Sequence, residues 1–520
     1  MKNRMFHSWV SARLDLPLLM IINVCIGFSS GISSSLAVYM VSGLSTNPAD
    51  GSMCTYAYLS GMSVAFPLVQ ALTNFLHSRK LLCIACILLI FLNFVLSRTD
   101  SAPLMILCTF LIGMLRLVGI MIVLISLLPI LMPKGERYQL YALYYPVSLI
   151  VSNISGAVLV HLADRFNWQF SFHFCNLLLF LVLIIAIILM HPHSKGRKIP
   201  LWKFDWFGLL LISICMLSTD YVLGYGQTED WLKSGPIRLN IILTIILTVV
   251  FLYRNAFQKK PLIHFELLRY RNVWLGLLIL FLLGAFYSVT GSLNTLMGIT
   301  FRNNPLESAD ENLYIIPGYI AGSLLCFLYY RKHTRFREMI VLCITCYLAS
   351  NIMIYFSVDQ QAGKNEFFLP LFLRGTAVII SYITIGLYVA AQVPAKKFPK
   401  VPVLLIFVRS YLATVLWSSM YSNYLYRAQQ KMLQRMALWI DSNGSPGTSI
   451  LYNGNVPDYS TMRTQATMMA VKELYGWLTI AGLILLAFIL FFPVYAEMDR
   501  RIFNWNKARN ARDVAQTVTA

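Results

Sequence analysis

Fourteen runs of roughly 18 to 25 mostly apolar residues, each long enough to cross a hydrocarbon layer, alternate with polar stretches along the chain. They predict transmembrane helices near Leu18–Met40, Ala57–Phe75, Leu81–Leu96, Leu104–Met132, Tyr141–Leu162, Phe172–Met190 and Trp206–Tyr225. The series continues near Ile237–Tyr253, Val273–Gly298, Leu313–Tyr330, Met339–Val358, Phe367–Ala391, Val403–Leu425 and Leu474–Tyr495. An all-α integral membrane protein is expected. The first run exceeds the apolar core of a secretory signal and is followed at once by a second span, so it is expected to be retained.

The pattern repeats. Cys83-Ile84-Ala85-Cys86 opens a span just after Arg79 and Lys80, and Cys343-Ile344-Thr345-Cys346 does so just after Arg335-Phe336-Arg337, about 260 positions later. Arg116 in the fourth span and Arg374 in the twelfth have the same spacing. The expected organisation is a six-helix bundle over residues 1–190, then cytoplasmic linkers and an inserted helix pair over 191–272. A second six-helix bundle over 273–495 and a cytoplasmic tail over 496–520 follow. Parallel repeats of this kind build many secondary transporters, with the substrate site near the midplane.

Charge fixes an orientation. The chain of 520 residues is 58% hydrophobic and 12% charged, with 42 Lys and Arg against 22 acids. Roughly 28 of the 42 basic residues fall on the side of the two termini and roughly 11 on the other. Both termini are therefore expected in the cytoplasm. A net charge of +20 spread over many short loops reads as membrane topology and lipid attraction, not as a nucleic-acid surface.

Of the 10 cysteines all but Cys54 lie in predicted spans, where a thiol behaves as a small hydrophobe. No disulfide framework, metal cluster, G-x-x-x-x-G-K-[ST] phosphate loop or H-E-x-x-H pair is present in the sequence. No cofactor and no enzymatic activity are expected, and transport would draw on a gradient.

Charge inside a span is expensive and marks candidate function. Asp220 is the only carboxylate well inside a predicted span, roughly 21 Å along its helix at 1.5 Å per residue. It is a candidate proton site, or else a structural acid held by Ser218, Thr219 or a neighbouring helix. Arg116 lies roughly 18 Å into its helix, too deep for easy snorkelling, and is either a coupling residue or a brace. Arg374 and Arg409, about 10 Å from the ends of their spans, are within reach of the interface.

Motifs in order along the chain carry a resemblance. Tyr56-Ala57-Tyr58-Leu59 up to Pro67-Leu68, Asp164 with Trp168, Phe204-Asp205-Trp206-Phe207-Gly208, Gly226-Gln227, Asp230-Trp231, Pro261-Leu262, Pro317, Arg374-Gly375 and Arg409 resemble the major facilitator superfamily. The branch is the fourteen-helix drug/proton antiporters of the EmrB and QacA type. The resemblance implies export of hydrophobic or amphiphilic compounds in exchange for protons, across a bacterial inner (plasma) membrane. The EmrB type also implies a periplasmic adaptor, a membrane fusion protein, as partner.

The sequence departs from that pattern in three places. The gating loop after the second helix reads Asn74-Phe75-Leu76-His77-Ser78-Arg79-Lys80, retaining Arg79 and Lys80 but neither its acid nor its glycine. The fifth-helix glycine motif is reduced to Ser155-Gly156, and the first-helix acid is replaced by Ser30. These losses favour an alternative, an exporter or facilitator of one endogenous metabolite or lipid without strict proton coupling. By equivalence with the resembled fold, cavity candidates are Asn23, Ser30, Tyr39, Tyr287, Asn294 and Tyr382.

The segment 426–472 is the one long extracytoplasmic stretch. Met432, Leu433, Met436, Trp439 and Ile440 form a helical stripe that would dock an adaptor helix or lie on headgroups, followed by a flexible loop from Asp441 to Gly447.

Overall fold

The structure, a computed structural model, describes residues 5–29, 36, 39–40, 43, 47–131, 137–191, 204–258, 261–301, 304–333, 335–358, 362–391, 393–394, 397, 400–442 and 459–491. These form α1 (Asp15–Phe28), α2 (Pro48–Phe75), α3 (Ser78–Arg98), α4 (Ala102–Leu131), α5 (Arg137–Arg165), α6 (Trp168–Leu189), α7 (Trp206–Tyr225) and α8 (Gly235–Phe257). The chain continues as α9 (Arg271–Tyr287), α10 (Thr290–Thr300), α11 (Pro305–Glu311), α12 (Ile315–Lys332), α13 (Phe336–Phe356) and α14 (Lys364–Ala391). After α15 (Val401–Ile406) comes a π-helical segment, Phe407–Ala413, then α16 (Thr414–Ser442) and α17 (Tyr459–Phe491).

Among the described residues twelve helical spans are long and apolar enough to cross a membrane, and they coincide with the third to fourteenth predicted runs. The first two runs fall short of that standard, for different reasons. Helix α1 has 14 residues, and most of the rest of its predicted run lies outside the described residues. Helix α2 is 28 residues long but carries Asp50, Ser52, Thr55, Ser60, Ser63, Gln70, Thr73 and Asn74.

Packing divides the chain into two units. The first holds residues 1–281, 323–333 and 382–415, and the second holds 282–322, 334–381 and 416–520. In the first unit α4 is the central element, buried at intervals from Met105 to Leu127 and packed against α1, α2 and α3. The outer helices turn apolar side chains outward: Ile87, Phe91 and Phe94 on α3, and Leu239, Ile242, Ile245 and Val249 on α8, are all exposed. Such a surface is stable only against lipid, and within lipid the helix satisfies its own backbone polar groups.

Local chemistry sets the helix starts. Pro48 opens α2, where Asn47 Oδ1 accepts from the Ala49 amide (3.0 Å) and Asp50 Oδ2 accepts from the Asn47 amide (3.1 Å). Asp205 caps α7 by accepting from the Gly208 amide (2.9 Å) and also pairs with Arg254 of α8 (2.8 Å), whose guanidinium lies 4.9 Å from the Phe207 ring. A Cβ on Gly208 would collide with the Asp205 carboxylate. The Phe204-to-Gly208 motif is thus the device that starts α7 and clasps α8 to it.

Close helix approach uses glycine at another site. A Cβ on Gly61 of α2 would strike the Phe110 carbonyl, and one on Gly113 of α4 would strike the Tyr58 carbonyl, so the two backbones touch. In the second unit Gly318 of α12 stands in the same way against the Phe372 carbonyl, and Gly375 of α14 against the Ile315 carbonyl. The two pairs lie about 260 positions apart, the spacing of the sequence echo.

The extracytoplasmic segment 426–472, expected to hold a helical stripe followed by a flexible loop, is helical wherever it is described: α16 runs on to Ser442 and α17 begins at Tyr459. Gln429 Nε2 donates to Thr467 Oγ1 (2.7 Å) and holds these extensions together. The expected flexible loop is helical through Ser442, and its remainder, from Asn443, lies outside the described residues.

Candidate functional site

A cavity of about 340 Å³ lies inside the first unit, within the size range of small-molecule sites. Helix α5 supplies one wall, because Tyr141, Tyr144, Tyr145, Ser148 and Ser152 recur at three- and four-residue steps and so share a face. Thr55 and Tyr58 of α2, Arg116 of α4, Tyr382 of α14 and Arg409 and Ser410 of the π-helical segment complete the polar lining; Leu117, Ile120, Met121, Leu405 and Ile406 supply apolar surface. Two arginines and five tyrosines line it, with no carboxylate among the described lining residues.

Arg116 is only 6% exposed. Its guanidinium donates to the Tyr58 hydroxyl and to the Gly27 carbonyl (3.2 Å), and it lies 5.7 Å from the Tyr58 ring centre. Its Nε has no partner among the described residues. Arg409 lies over two rings, 4.4 Å from the centre of Tyr382 and 5.2 Å from that of Tyr145. Cation–π contact of this kind is worth about 0.5–2 kcal/mol.

A π-helical turn takes one more residue than an α turn and re-aims the side chains that follow. Phe407–Ala413 sends Arg409 and Ser410 to the cavity and Tyr411 towards α7. There Asp220 is 0% exposed. Ser60 of α2 donates to its Oδ2, the Tyr411 hydroxyl lies beside it, and its Oδ1 has no hydrogen bond among the described residues. Neither neighbour named from the sequence holds it: Ser218 donates to Asn240 Oδ1 (2.9 Å) and Thr219 to the Cys215 carbonyl (2.8 Å).

The other sequence-derived candidates are scattered. Tyr382 lines the cavity, whereas Asn23 is buried in α1 outside it and Tyr39 sits beside Asp164. Tyr287 and Asn294 belong to the second unit; the Tyr287 carbonyl accepts from Arg374 (3.0 Å), and Asn294 accepts from Asn312 (3.2 Å). Ser30 lies outside the described residues. Arg79 donates to the Ile187 carbonyl (2.7 Å), tying α3 to α6, while Lys80 is exposed.

Arg374 does not reach for the interface. It is 3% exposed and also donates to Thr290 Oγ1 (2.8 Å), a binding of guanidinium by backbone and hydroxyl like that of Arg116. Arg409 likewise turns into a cavity rather than along its helix to the end.

Residues the sequence reading passed over are Ser60, the α5 tyrosines, Tyr411 and Glu311, and Tyr58 figured there only within a motif. The tyrosine stripe on α5 had a readable signal in its spacing. Glu311 ends α11, is 3% exposed, and leaves Oε2 without a partner among the described residues. It lies just before the predicted run that starts near Leu313, so the sequence pattern gave no sign of its burial.

A stack of apolar spans enclosing a cavity of small-molecule size, lined by buried guanidinium and tied through Tyr411 to a buried carboxyl group, is the arrangement of a membrane transporter. The chain belongs to the Major Facilitator Superfamily, whose sequence pattern matches residues 19–418.

Relatives at low identity include the colistin resistance protein EmrB of Acinetobacter baumannii, 22% identical over 52% of this chain and 52% of its own length. Siderophore iron transporter 1 of Saccharomyces cerevisiae is 23% identical over 67% of this chain and 60% of its own. The aligned segment thus spans roughly half to three-fifths of these relatives. A proton-dependent oligopeptide transporter structure aligns with 95% of this chain and all of its own, at TM-score 0.64 and 12% identity, a likeness of fold alone.

Proposed function

We propose that this chain is a secondary active exporter of hydrophobic or amphiphilic compounds, working by alternating access and driven by proton entry. On this reading the chain crosses the membrane fourteen times, with α1 and α2 as the first two crossings, has both termini in the cytoplasm, and belongs to a bacterial inner membrane. The α16 and α17 extensions are the surface on which a periplasmic adaptor would dock.

The observation that carries this reading is the pairing of the cavity with Asp220 through one short segment. Arg409 at the cavity and Tyr411 at Asp220 are two residues apart on the same π-helical turn. A proton on Asp220 removes a negative charge from a site with no ion pair among the described residues, and so changes what Ser60 and Tyr411 can hold.

The second reading, an exporter of a single metabolite without strict coupling, is favoured by Ser30 standing where the resembled family carries an acid. Dye and drug accumulation in bacteria stripped of their own efflux pumps separates the two. Coupled export predicts lowered accumulation that a protonophore restores. In proteoliposomes Asp220→Asn should lose flux driven by a pH gradient while keeping substrate counterflow. Unchanged pH-driven flux in this variant would remove Asp220 from the coupling.

A further inference from the structure

Helices α16 and α17 run on past their predicted spans as an antiparallel pair, held where Gln429 donates to Thr467 (2.7 Å) and where Tyr424 lies beside Glu473. Ala428, Ala466 and Ala470 are buried along this pair. On the outer face of α16, Arg427, Lys431 and Arg435 recur at four-residue steps and so form a ladder, and all three are exposed, as is Arg463 of α17. None of the four has an ion pair among the described residues. No acid falls within 426–436 or 459–472.

The ladder climbs away from the bilayer. Thr467 precedes Leu474, where the last predicted span begins, by about 10 Å at 1.5 Å per residue. Gln429 is level with Thr467, so Lys431, Arg463 and Arg435 stand about 13, 16 and 19 Å beyond the span, past a headgroup layer of roughly 5–8 Å. A lipid surface would meet only the lowest rung, Arg427. The arrangement also costs the fold: like charges four apart on a helix repel, and basic residues outside oppose the orientation that the cytoplasmic loops set. We propose that Arg427, Lys431, Arg435 and Arg463 form a docking surface for an acidic helix of an extracytoplasmic protein, whose carboxylates at four-residue steps match the ladder. The proposal narrows the docking surface named above and rests on that reading for the side of the membrane, but not on export.

The probe is a fluorescent helical peptide with glutamate at every fourth position, beside a shuffled peptide of the same composition and a lysine counterpart of the first. Fluorescence anisotropy on the purified full-length chain in phosphatidylcholine nanodiscs should show saturable binding of the glutamate peptide, at least fivefold tighter than the shuffled one and weakening as salt screens the charges. The triple variant Arg427→Gln, Lys431→Gln, Arg435→Gln should weaken it at least tenfold. The control triple Arg269→Gln, Arg331→Gln, Lys332→Gln removes as much charge from exposed positions on the expected cytoplasmic side and should leave it unchanged. The reversal Arg427→Glu, Lys431→Glu, Arg435→Glu should take the lysine peptide instead, a gain that only a folded variant can show.

Equal binding of the glutamate and shuffled peptides, equal loss in the two glutamine triples, or no saturable binding would each overturn the proposal. Binding that vanishes when phosphatidylglycerol replaces half of the phosphatidylcholine would assign the ladder to lipid headgroups and overturn it as well. Peptide binding by a chain that exports nothing would sustain this proposal and sink the export reading. Protonophore-sensitive export by a chain that binds none of the peptides would do the reverse.

Discussion

Arg116 and Arg374 meet the same physical problem in the same way. A guanidinium has five donors and cannot shed its charge, so in an apolar interior it must find oxygen. Arg116 finds the Gly27 carbonyl and Tyr58 hydroxyl; Arg374 finds the Tyr287 carbonyl and Thr290 hydroxyl. Bracing alone and a role in transport separate by substitution. Arg116→Ala leaves acceptors unmet at about 1–3 kcal/mol and should abolish transport with insertion preserved. Normal flux in Arg116→Ala, measured beside a thermal unfolding curve, would reduce the side chain to a brace.

At the scale of elements, the glycine contacts hold helices closer than any other residue permits. Gly113→Val would drive a branched side chain into the Tyr58 carbonyl, and relief requires α2 and α4 to part. Overpacking of this kind costs about 1–3 kcal/mol, and because Tyr58 and Arg116 are carried on the same two helices, it should also disturb the cavity. The check is the unfolding temperature in detergent together with ligand binding: Gly113→Val should lower both, whereas Gly291→Ala, with open space around it, should change neither.

The molecule also carries an ionic clasp outside its spans. Glu266, after α8, receives Lys397 (3.2 Å) and Lys400 (3.7 Å), and Lys397 lies 5.9 Å from the Tyr270 ring. Lys397, by hydrogen bond and by charge, holds the Glu266 carboxyl below the usual glutamate range. A carboxyl with a depressed value contributes stability above its unfolded value and loses it as pH falls through its folded one. The clasp is therefore expected to be intact at neutral pH and to open only under acid conditions. Glu266→Gln should open it at pH 7, seen as faster proteolysis after Lys397 or Lys400. No change in cleavage would show that other contacts hold the segment.

The membrane class and the places of twelve spans were legible in the sequence, because a hydrocarbon solvent demands long apolar helices whatever their neighbours are. Deep charges were legible too, as Arg116 and Asp220 break apolar runs. Their partners were not. In a helix that is apolar almost all round, nothing in the spacing says which face meets another helix, so the oxygen beside Asp220 proved to be Ser60, 160 positions away. For the same reason four of the five described cavity candidates, Asn23, Tyr39, Tyr287 and Asn294, lie outside the cavity lining, which instead draws on α5 and on a π-helical turn that no periodicity announces. Helix length is dictated by the solvent and can be read residue by residue; helix azimuth and register are decided by packing, and only the folded chain has them.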